Sequence, residues 1–354
     1  MAKWEGRMLH DKERWKEVEF LVFVIQGGIG RNIEATAVVR ALKKAYPEKK
    51  IVVICGSPDV FLKNPYIHRI YHLGQPVFFF DDYFLKGRSV VLNVEPYQHF
   101  DYVYGRHHFI ECWCDMLGVP CDGVRPDLFL SDSENRMAKI FVDKFGKELI
   151  LIQGEGGKIP ANDTEKEDIV SKSSMYKRSL KKDIIQGVTD EFLKRDFAVG
   201  VVRTPNQFLP KGAESINFPI RSILALIPHL AGMVCVDSFL MHGAAIFEVP
   251  AVVFWGGTNP KLLGYESNRN VVKAVCPTPM CHRPNSYLWD FEPTGFMWDC
   301  PHNDKCMDYS VMEVMAEVDK LMGGRHGKLG QRVEEQRGCG GECQVKSEGV
   351  GGQA

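Results

Sequence analysis

The sequence has almost no excess charge of either sign: 44 Lys and Arg stand against 45 Asp and Glu in 354 residues, a formal net charge of −1. That balance excludes a global basic field for nucleic acid and an acidic solvating chain, so no nucleic-acid partner is expected. Long apolar runs are missing too. The longest, residues 20–25, is strand-sized and far short of the roughly 20 residues a membrane-crossing helix needs. Any membrane contact would therefore be peripheral. Residues 1–17 are polar, without the apolar core of a secretory leader. Eleven cysteines, an odd count in a chain with such an opening, argue against a secreted disulfide framework and for a reducing, cytoplasmic setting.

What is present is material for a large core, 45% hydrophobic against 25% charged, in a chain long enough for two domains. Apolar runs alternate with amphipathic ones, the pattern of an α/β protein whose parallel sheets are covered on both faces. The first half predicts strands at 20–25, 50–54, 77–80 and 89–94, with helices at 33–45 and 107–117. A polar amphipathic stretch, 131–147, leads to a second round. It has strands at 148–152, 197–202, 232–236 and 251–254 and helices near 181–194, 222–229 and 240–247. The expectation is two Rossmann-like doubly wound domains, 1–145 and 146–322, facing across a cleft that holds the ligand. Residues 323–354 are Gly-rich and aperiodic and read as a disordered tail.

The first strand runs into Gln26, Gly27, Gly28, Ile29, Gly30, Arg31 and Asn32, then an apolar helical stripe through Ile33, Ala37, Val38, Ala41 and Leu42. Glycines here let backbone approach a ligand at a helix N-terminus. A dinucleotide fold would need glycine where Ile33 stands. It would also need an acid after the second strand, which instead ends in Cys55, Gly56 and Ser57. Both are wanting, so a nicotinamide or flavin enzyme is disfavoured. A tight turn with no ligand is the plain alternative.

The stretch from Gly28 to Ile33, continued by Thr36, Val39, Arg40, Ala41, Leu42, Tyr46 and Pro47, resembles the start of the heptosyltransferase-like glycosyltransferases of family 9, which have GT-B architecture. So do the strand from Ile51 to Cys55 and Asn64, Pro65 and Ile67 after it. In the second half, Val234 to Ala245 is similar to that family's strand followed by D-[ST]-x-x-x-H-x-A-A. Val249, Pro250 and Phe254 to Pro260 resemble its strand followed by a G-x-T-x-P loop. Cys306, Met307 and Val311 to Val318 resemble its closing segment. The likeness spans roughly residues 20–322, in islands.

The resemblance implies an inverting transferase that moves a sugar, such as a heptose, from a nucleotide-diphospho-sugar to a glycan or glycolipid acceptor. The family's acceptor is a bacterial surface glycolipid core, which places such a reaction in lipopolysaccharide biosynthesis at the inner face of the membrane. The donor would lie on the second domain and the acceptor on the first. Such chemistry needs a bed for the departing diphosphate, contacts to the sugar and a base for the acceptor hydroxyl. For the diphosphate the residues offer Lys177 and Arg178 ahead of a helix, although Lys177, Arg178, Lys181 and Lys182 also read as a solvated helix start. Asp237 and Ser238 stand at a strand end where a helix N-cap belongs. By resemblance Asp237 binds donor hydroxyls and Ser238 phosphate, with Gly257 and Thr258 in the following loop. His242 is a further donor-side candidate, or a structural histidine on a helix's inner face.

The base departs from the family, whose aspartate after the turn glycine aligns with Arg31. A guanidinium cannot abstract a proton. Glu95, at the end of an apolar strand, and Glu34, one turn into the helix, are the candidates, with Glu95 preferred. Arg31, with Gly28 and Gly30, would bind the acceptor or a phosphate. No D-x-D pair closes a strand, so no metal or other cofactor is expected in catalysis. A binding protein for nucleotide-sugars or glycans that has lost its base, or a sugar-nucleotide epimerase of the same architecture, are the alternatives.

Cys276, Cys281, Cys300 and Cys306 form two loosely spaced pairs beside His282 and His302, suited to a structural zinc, to plain thiols or to a disulfide. Aromatic residues between them, Tyr287, Trp289, Phe291, Phe296 and Trp298, read as a small satellite core or a stacking surface. Cys112 and Cys114, two apart on a helix, face different ways and make a poor metal pair.

Overall fold

A computed structural model describes residues 12–74, 78–85, 87–156, 178–273, 275, 302 and 305–323. Two parallel sheets dominate it. The first contains β1 (Phe20–Ile25), β2 (Lys50–Cys55), β3 (Ile67–His72) and β4 (Ser89–Leu92) in the order β3-β2-β1-β4. The second contains β5 (Leu149–Gln153), β6 (Ala198–Val202), β7 (Glu214–Ile216), β8 (Gly232–Val236), β9 (Ala251–Trp255) and β10 (Arg269–Val272) in the order β10-β9-β8-β5-β6-β7. The central strands are apolar because both faces are covered; β5, β8 and β9 are buried along their whole length.

The helices are α1 (Lys12–Glu17), α2 (Ile29–Ala45), α3 (Phe100–Val103), α4 (Phe109–Met116), α5 (Asp132–Asp143), α6 (Lys182–Lys194), α7 (Ile220–Leu226), α8 (Phe239–Phe247), α9 (Pro260–Leu263) and α10 (Val311–Gly323). Ser131 and Glu134 close a capping box that starts α5, the amphipathic stretch anticipated between the halves. Among the described residues, no helix is long and apolar enough to cross a membrane.

One hydrophobic cluster runs through both halves, joining Ile25, Ile33 and Trp113 to Leu224, Met241 and Trp255. Arg221 of α7 fastens the halves further. It donates to Glu134 Oε2 at 3.1 Å, to the Asp59 carbonyl at 2.9 Å and to the Phe129 carbonyl at 2.6 Å. A second cluster, including Ile152, Phe192, Val236, Phe254 and Val314, fills the outer face of the second sheet.

Three differences from the expected elements stand out. The expected strand at 77–80 is not one: Phe80–Phe84 forms a π-helical turn whose Tyr83 packs with Phe20, Val22, Val52 and Ile54 under the first sheet. The strand in that part of the sheet is β3, an edge strand whose His68, Arg69 and His72 mask its period. Helix α2 begins at Ile29, four residues earlier than its apolar stripe suggests. Lys177, Cys276, Cys281, Cys300, the aromatic stretch and the Gly-rich segment from 324 lie outside the described residues. Of the four zinc-candidate cysteines only Cys306 is described, and it is buried. Among the described residues no group of three or more His, Cys, Asp and Glu could hold a metal.

Candidate functional site

In doubly wound sheets the chain leaves adjacent central strands in opposite directions, opening a crevice at their carboxyl ends. Here those pairs are β1 with β4 and β5 with β8. The first crevice receives the turn after β1 and Glu95 after β4; the second receives Gly154 to Gly156 after β5 and Asp237 after β8. The two crevices adjoin: Gly30, after β1, packs against His242 of the helix that follows β8, and the Asp237 charge helps to raise the Glu34 carboxyl.

At the first crevice Arg31 donates from Nη1 to Glu95 Oε2 at 2.8 Å, with only 9% of the arginine side chain exposed against 31% of the glutamate. Its guanidinium lies 5.1 Å from the Trp113 ring centroid, 5.6 Å from Tyr97 and 5.9 Å from Phe109. Three aromatic rings and one carboxylate thus hold a planar cation at the start of α2. Glu95 also accepts from the Tyr97 backbone N–H through Oε1, which fixes its second oxygen. Asn32 braces the turn, donating to the Gly28 carbonyl at 2.8 Å and accepting from the Ser57 N–H at 3.2 Å. Gly27 has φ +93°, a conformation other residues adopt only with strain.

Gly30 serves the contact between the halves. A Cβ there would fall 2.8 Å from His242 Nε2. His242 itself is buried and shares a 2.6 Å hydrogen bond through Nδ1 with the Tyr265 hydroxyl. Burial pushes its imidazole down to about 3, with a further push from His108, so it is neutral at ordinary pH. His108, packed 5.6 Å from the Tyr265 ring, is lowered to about 4, also by burial. Glu34 is buried, and its carboxyl is held well above the usual range by burial first and by Asp237 second, with Arg31 opposing.

At the second crevice Asp237 accepts from Thr258 Oγ1 through Oδ2 at 2.7 Å, and Arg178 Nη1 lies 3.5 Å from the same oxygen. Thr258, Asp237 and the turn after β9 are thereby tied to the end of β8. Ser238 occupies the N-cap position of α8, but its side chain makes no capping hydrogen bond, so the cap is not what requires a serine. Gly257 lies buried next to Thr258. Gly156 is forced by close approach: a Cβ would sit 2.7 Å from the Arg178 carbonyl and 3.5 Å from that of Asp237. Its N–H donates to Ser179 Oγ at 3.1 Å. Lys181, at the N-cap of α6, pairs with Asp308.

Glu95, Arg31, Glu34, Asp237, Arg178 and Thr258 thus converge, together with His242 at the seam. Sequence reading missed Glu155, which accepts from the Phe208 N–H at 2.9 Å, and with it Gly156 and Tyr265. The signal for the first two was available: Gly154, Glu155, Gly156 and Gly157 follow an apolar strand just as Gly27 to Gly30 do.

No family model matches the sequence, and no curated protein does. Solved structures do. A family 9 glycosyl transferase from Veillonella parvula superposes with a TM-score of 0.59 at 13% identity, covering 86% of this chain and 98% of that one. The ADP-heptose lipopolysaccharide heptosyltransferase II of E. coli gives 0.59 at 12%, covering 87% and 99%. A dodecameric iron-containing heptosyltransferase of enterotoxigenic E. coli, in complex with ADP-D-β-D-heptose, gives 0.59 at 13%, covering 87% and 77%. At such identities the likeness establishes the fold: two α/β units in the GT-B arrangement.

Proposed function

We propose that this GT-B chain is an inverting glycosyltransferase that takes a nucleotide-diphospho-sugar as donor, and a heptose is the sugar its structural neighbours favour. The observation that carries this reading is that the two strand-end crevices adjoin, with Glu95 on one side and Asp237 on the other. In this reading the donor lies over the second sheet. Asp237, held by Thr258, takes hydrogen bonds from sugar hydroxyls. Ser238, Gly257 and the N–H groups opening α8 receive the diphosphate, with Arg178, and Lys177 beside it, supplying positive charge.

The acceptor is a glycan or glycolipid hydroxyl placed over the turn from Gly28 to Arg31. Glu95 removes its proton as the oxygen attacks the anomeric carbon from the face opposite the diphosphate. The bond between that carbon and the diphosphate oxygen breaks, and the nucleoside diphosphate leaves with the electron pair. Arg31 orients Glu95 and does not itself accept a proton. Glu34 is the weaker candidate, because its side chain is buried whereas that of Glu95 is part-exposed to an incoming hydroxyl. The reaction requires no divalent metal in this account, so transfer continues in excess chelator; loss of turnover restored by Mg²⁺ or Mn²⁺ would refute that. A structural zinc at Cys276, Cys281, Cys300 and Cys306 would only fold its segment, and stoichiometric zinc in the purified protein, lost in the Cys276→Ser and Cys306→Ser double variant, tests for it.

One observation favours a second reading. Arg31 stands where the family places its base, which suits a nucleotide-sugar or glycan-binding protein without turnover. Incubation with a panel of nucleotide-diphospho-sugars separates the readings. Slow release of nucleoside diphosphate supports a transferase, binding without release supports the binding protein, and an altered sugar supports an epimerase. If release occurs and both Glu95→Gln and Glu34→Gln retain the wild-type rate, the base assignment is wrong.

A further inference from the structure

The segment between Glu95 and α4 has two unlike faces. A single 3₁₀ turn, Pro96–Gln98, leads through His99 into the four residues of α3. The inner face is packed: Tyr97 lies against the Arg31 guanidinium, and the buried Tyr102 meets Tyr97 at 5.2 Å and Phe109 at 5.5 Å between ring centroids. The outer face carries Phe100 and Tyr104, 55% and 61% exposed and one helical turn apart. Their rings lie 4.3 Å apart with planes tilted by 39°, and the Arg106 guanidinium is 5.0 Å from one centroid and 5.2 Å from the other. Gly105, at φ +68°, lets the chain double back. The Arg106 N–H bonds to the Asp101 carbonyl at 2.7 Å, and its guanidinium reaches Asp101 Oδ1 at 3.4 Å. The same glycine meets the second half, since a Cβ there would fall 3.9 Å from Asn259 Nδ2, next to the Thr258 that holds Asp237.

We propose that Phe100, Tyr104 and Arg106 form a subsite for an uncharged pyranose unit of the acceptor glycan. This rests on the reading that sets the acceptor over the first sheet. Placement supports it first. Phe100 follows Glu95 by five residues, so it lies within about 18 Å of that carboxylate even in an extended chain, and nearer through two helical turns. A glycan whose hydroxyl meets Glu95 therefore has its neighbouring units beside these rings. Gly105, against Asn259, sets them where the two halves meet.

Chemistry supports it next. An aromatic face is rich in negative charge, and the C–H groups on one side of a pyranose ring are weakly positive, so the sugar packs flat on rings left in water. Arg106, held between the two rings, supplies N–H donors for the sugar hydroxyls beside them. Charge then narrows the ligand. Residues 95–115 hold four carboxylates, Glu95, Asp101, Glu111 and Asp115, against one arginine and no lysine. Such a surround repels an anionic sugar and admits a neutral one. A nucleobase would also suit the rings, but in the proposed reading the donor lies over the second sheet.

The test reads glycan binding directly, without donor or turnover. The full-length chain is titrated by saturation-transfer NMR with cellobiose, maltose and lactose, with methyl glucuronide as the charged probe and adenosine as the nucleobase probe. The expected result is that at least one disaccharide binds and takes saturation on its ring C–H protons, while the glucuronide binds more weakly. The double substitution Phe100→Ala and Tyr104→Ala, on exposed side chains, should weaken that binding by at least about tenfold, and Tyr104→Phe, which keeps the ring, by less than about twofold. No binding of any disaccharide by the wild type, equal binding by the double variant, or a preference for the glucuronide overturns the proposal. So does a double variant that loses adenosine and keeps the disaccharide, which would give the rings to a nucleobase. A chain that passes here yet turns over no nucleotide-sugar is a glycan-binding protein, and one that turns over donor and fails here loses this subsite alone.

Discussion

The two strand-end crevices are built from the same parts and finished differently. At β1 and β4 Gly30 is pressed against His242, and Arg31 is walled in by three rings and paired to Glu95. At β5 and β8 Asp237 is held by Thr258 and approached by Arg178, and the Ser238 side chain is not engaged in its cap. The first pins a cation against a part-exposed carboxylate; the second holds a buried carboxylate beside a helix start. On the proposed reading this is a division of labour, in which the second sheet would bind sugar and diphosphate while the first would contribute orientation and the base.

The sharpest break of that contrast is Glu95→Gln. It should lower kcat by about 10²- to 10⁴-fold, the usual worth of a general base. A loss below tenfold in steady-state nucleoside diphosphate release would move the base elsewhere.

Next comes acid sensitivity at the seam. His242 and His108 have folded pKa values lowered to about 3 and about 4, below the ordinary imidazole value of about 6.5. Above about 6.5 neither state binds these protons and stability is unaffected. Below it the unfolded chain takes them first, so stability falls by about 1.4 kcal/mol per pH unit for each imidazole, until the native sites protonate in turn. Urea midpoints followed from pH 7 to 4.5 check this, and a flat profile would show that the seam does not bury neutral histidines.

Two glycines of one turn sharpen the comparison further. Gly30→Val should destabilise by about 1–3 kcal/mol through its clash with His242. Gly28→Ala, where a Cβ meets nothing within 4 Å, should stay within about 0.5 kcal/mol of wild type. Thermal denaturation of the two variants decides, and equal losses would contradict the close approach. A smaller effect than that of Gly30→Val is expected from Arg31→Lys, about 0.5–2 kcal/mol, since the cation remains but its planar contact with the rings is lost. It should lower kcat through Glu95 and leave donor affinity alone.

How much of this was legible in the sequence follows from burial. Central strands such as 149–153 and 232–236 are apolar runs and declare themselves. The strands that escaped notice, β3, β7 and β10, are all sheet edges, where polar side chains hide the period. The early start of α2 was hidden because Gly28 and Gly30 weaken local helix preference, and what demands Gly30 is His242, 212 positions away. The aromatic run at 78–84 looked like a strand because strands and satellite cores use the same residues. Among site residues, Asp237 and Glu95 were legible as strand ends. That Glu95 pairs with Arg31, or that Thr258 holds Asp237, depends on which strands are neighbours, and spacing along one chain does not carry that.

The central claim is the division of labour between the crevices, and donor affinity measured by titration calorimetry on two variants tests it most directly. With a nucleotide-diphospho-sugar that the wild type binds, Glu95→Gln should bind with unchanged Kd, and Asp237→Ala should weaken binding by at least about tenfold, the worth of a lost charged hydrogen bond. Unchanged binding in Asp237→Ala together with weakened binding in Glu95→Gln would contradict the account and place the donor on the first sheet.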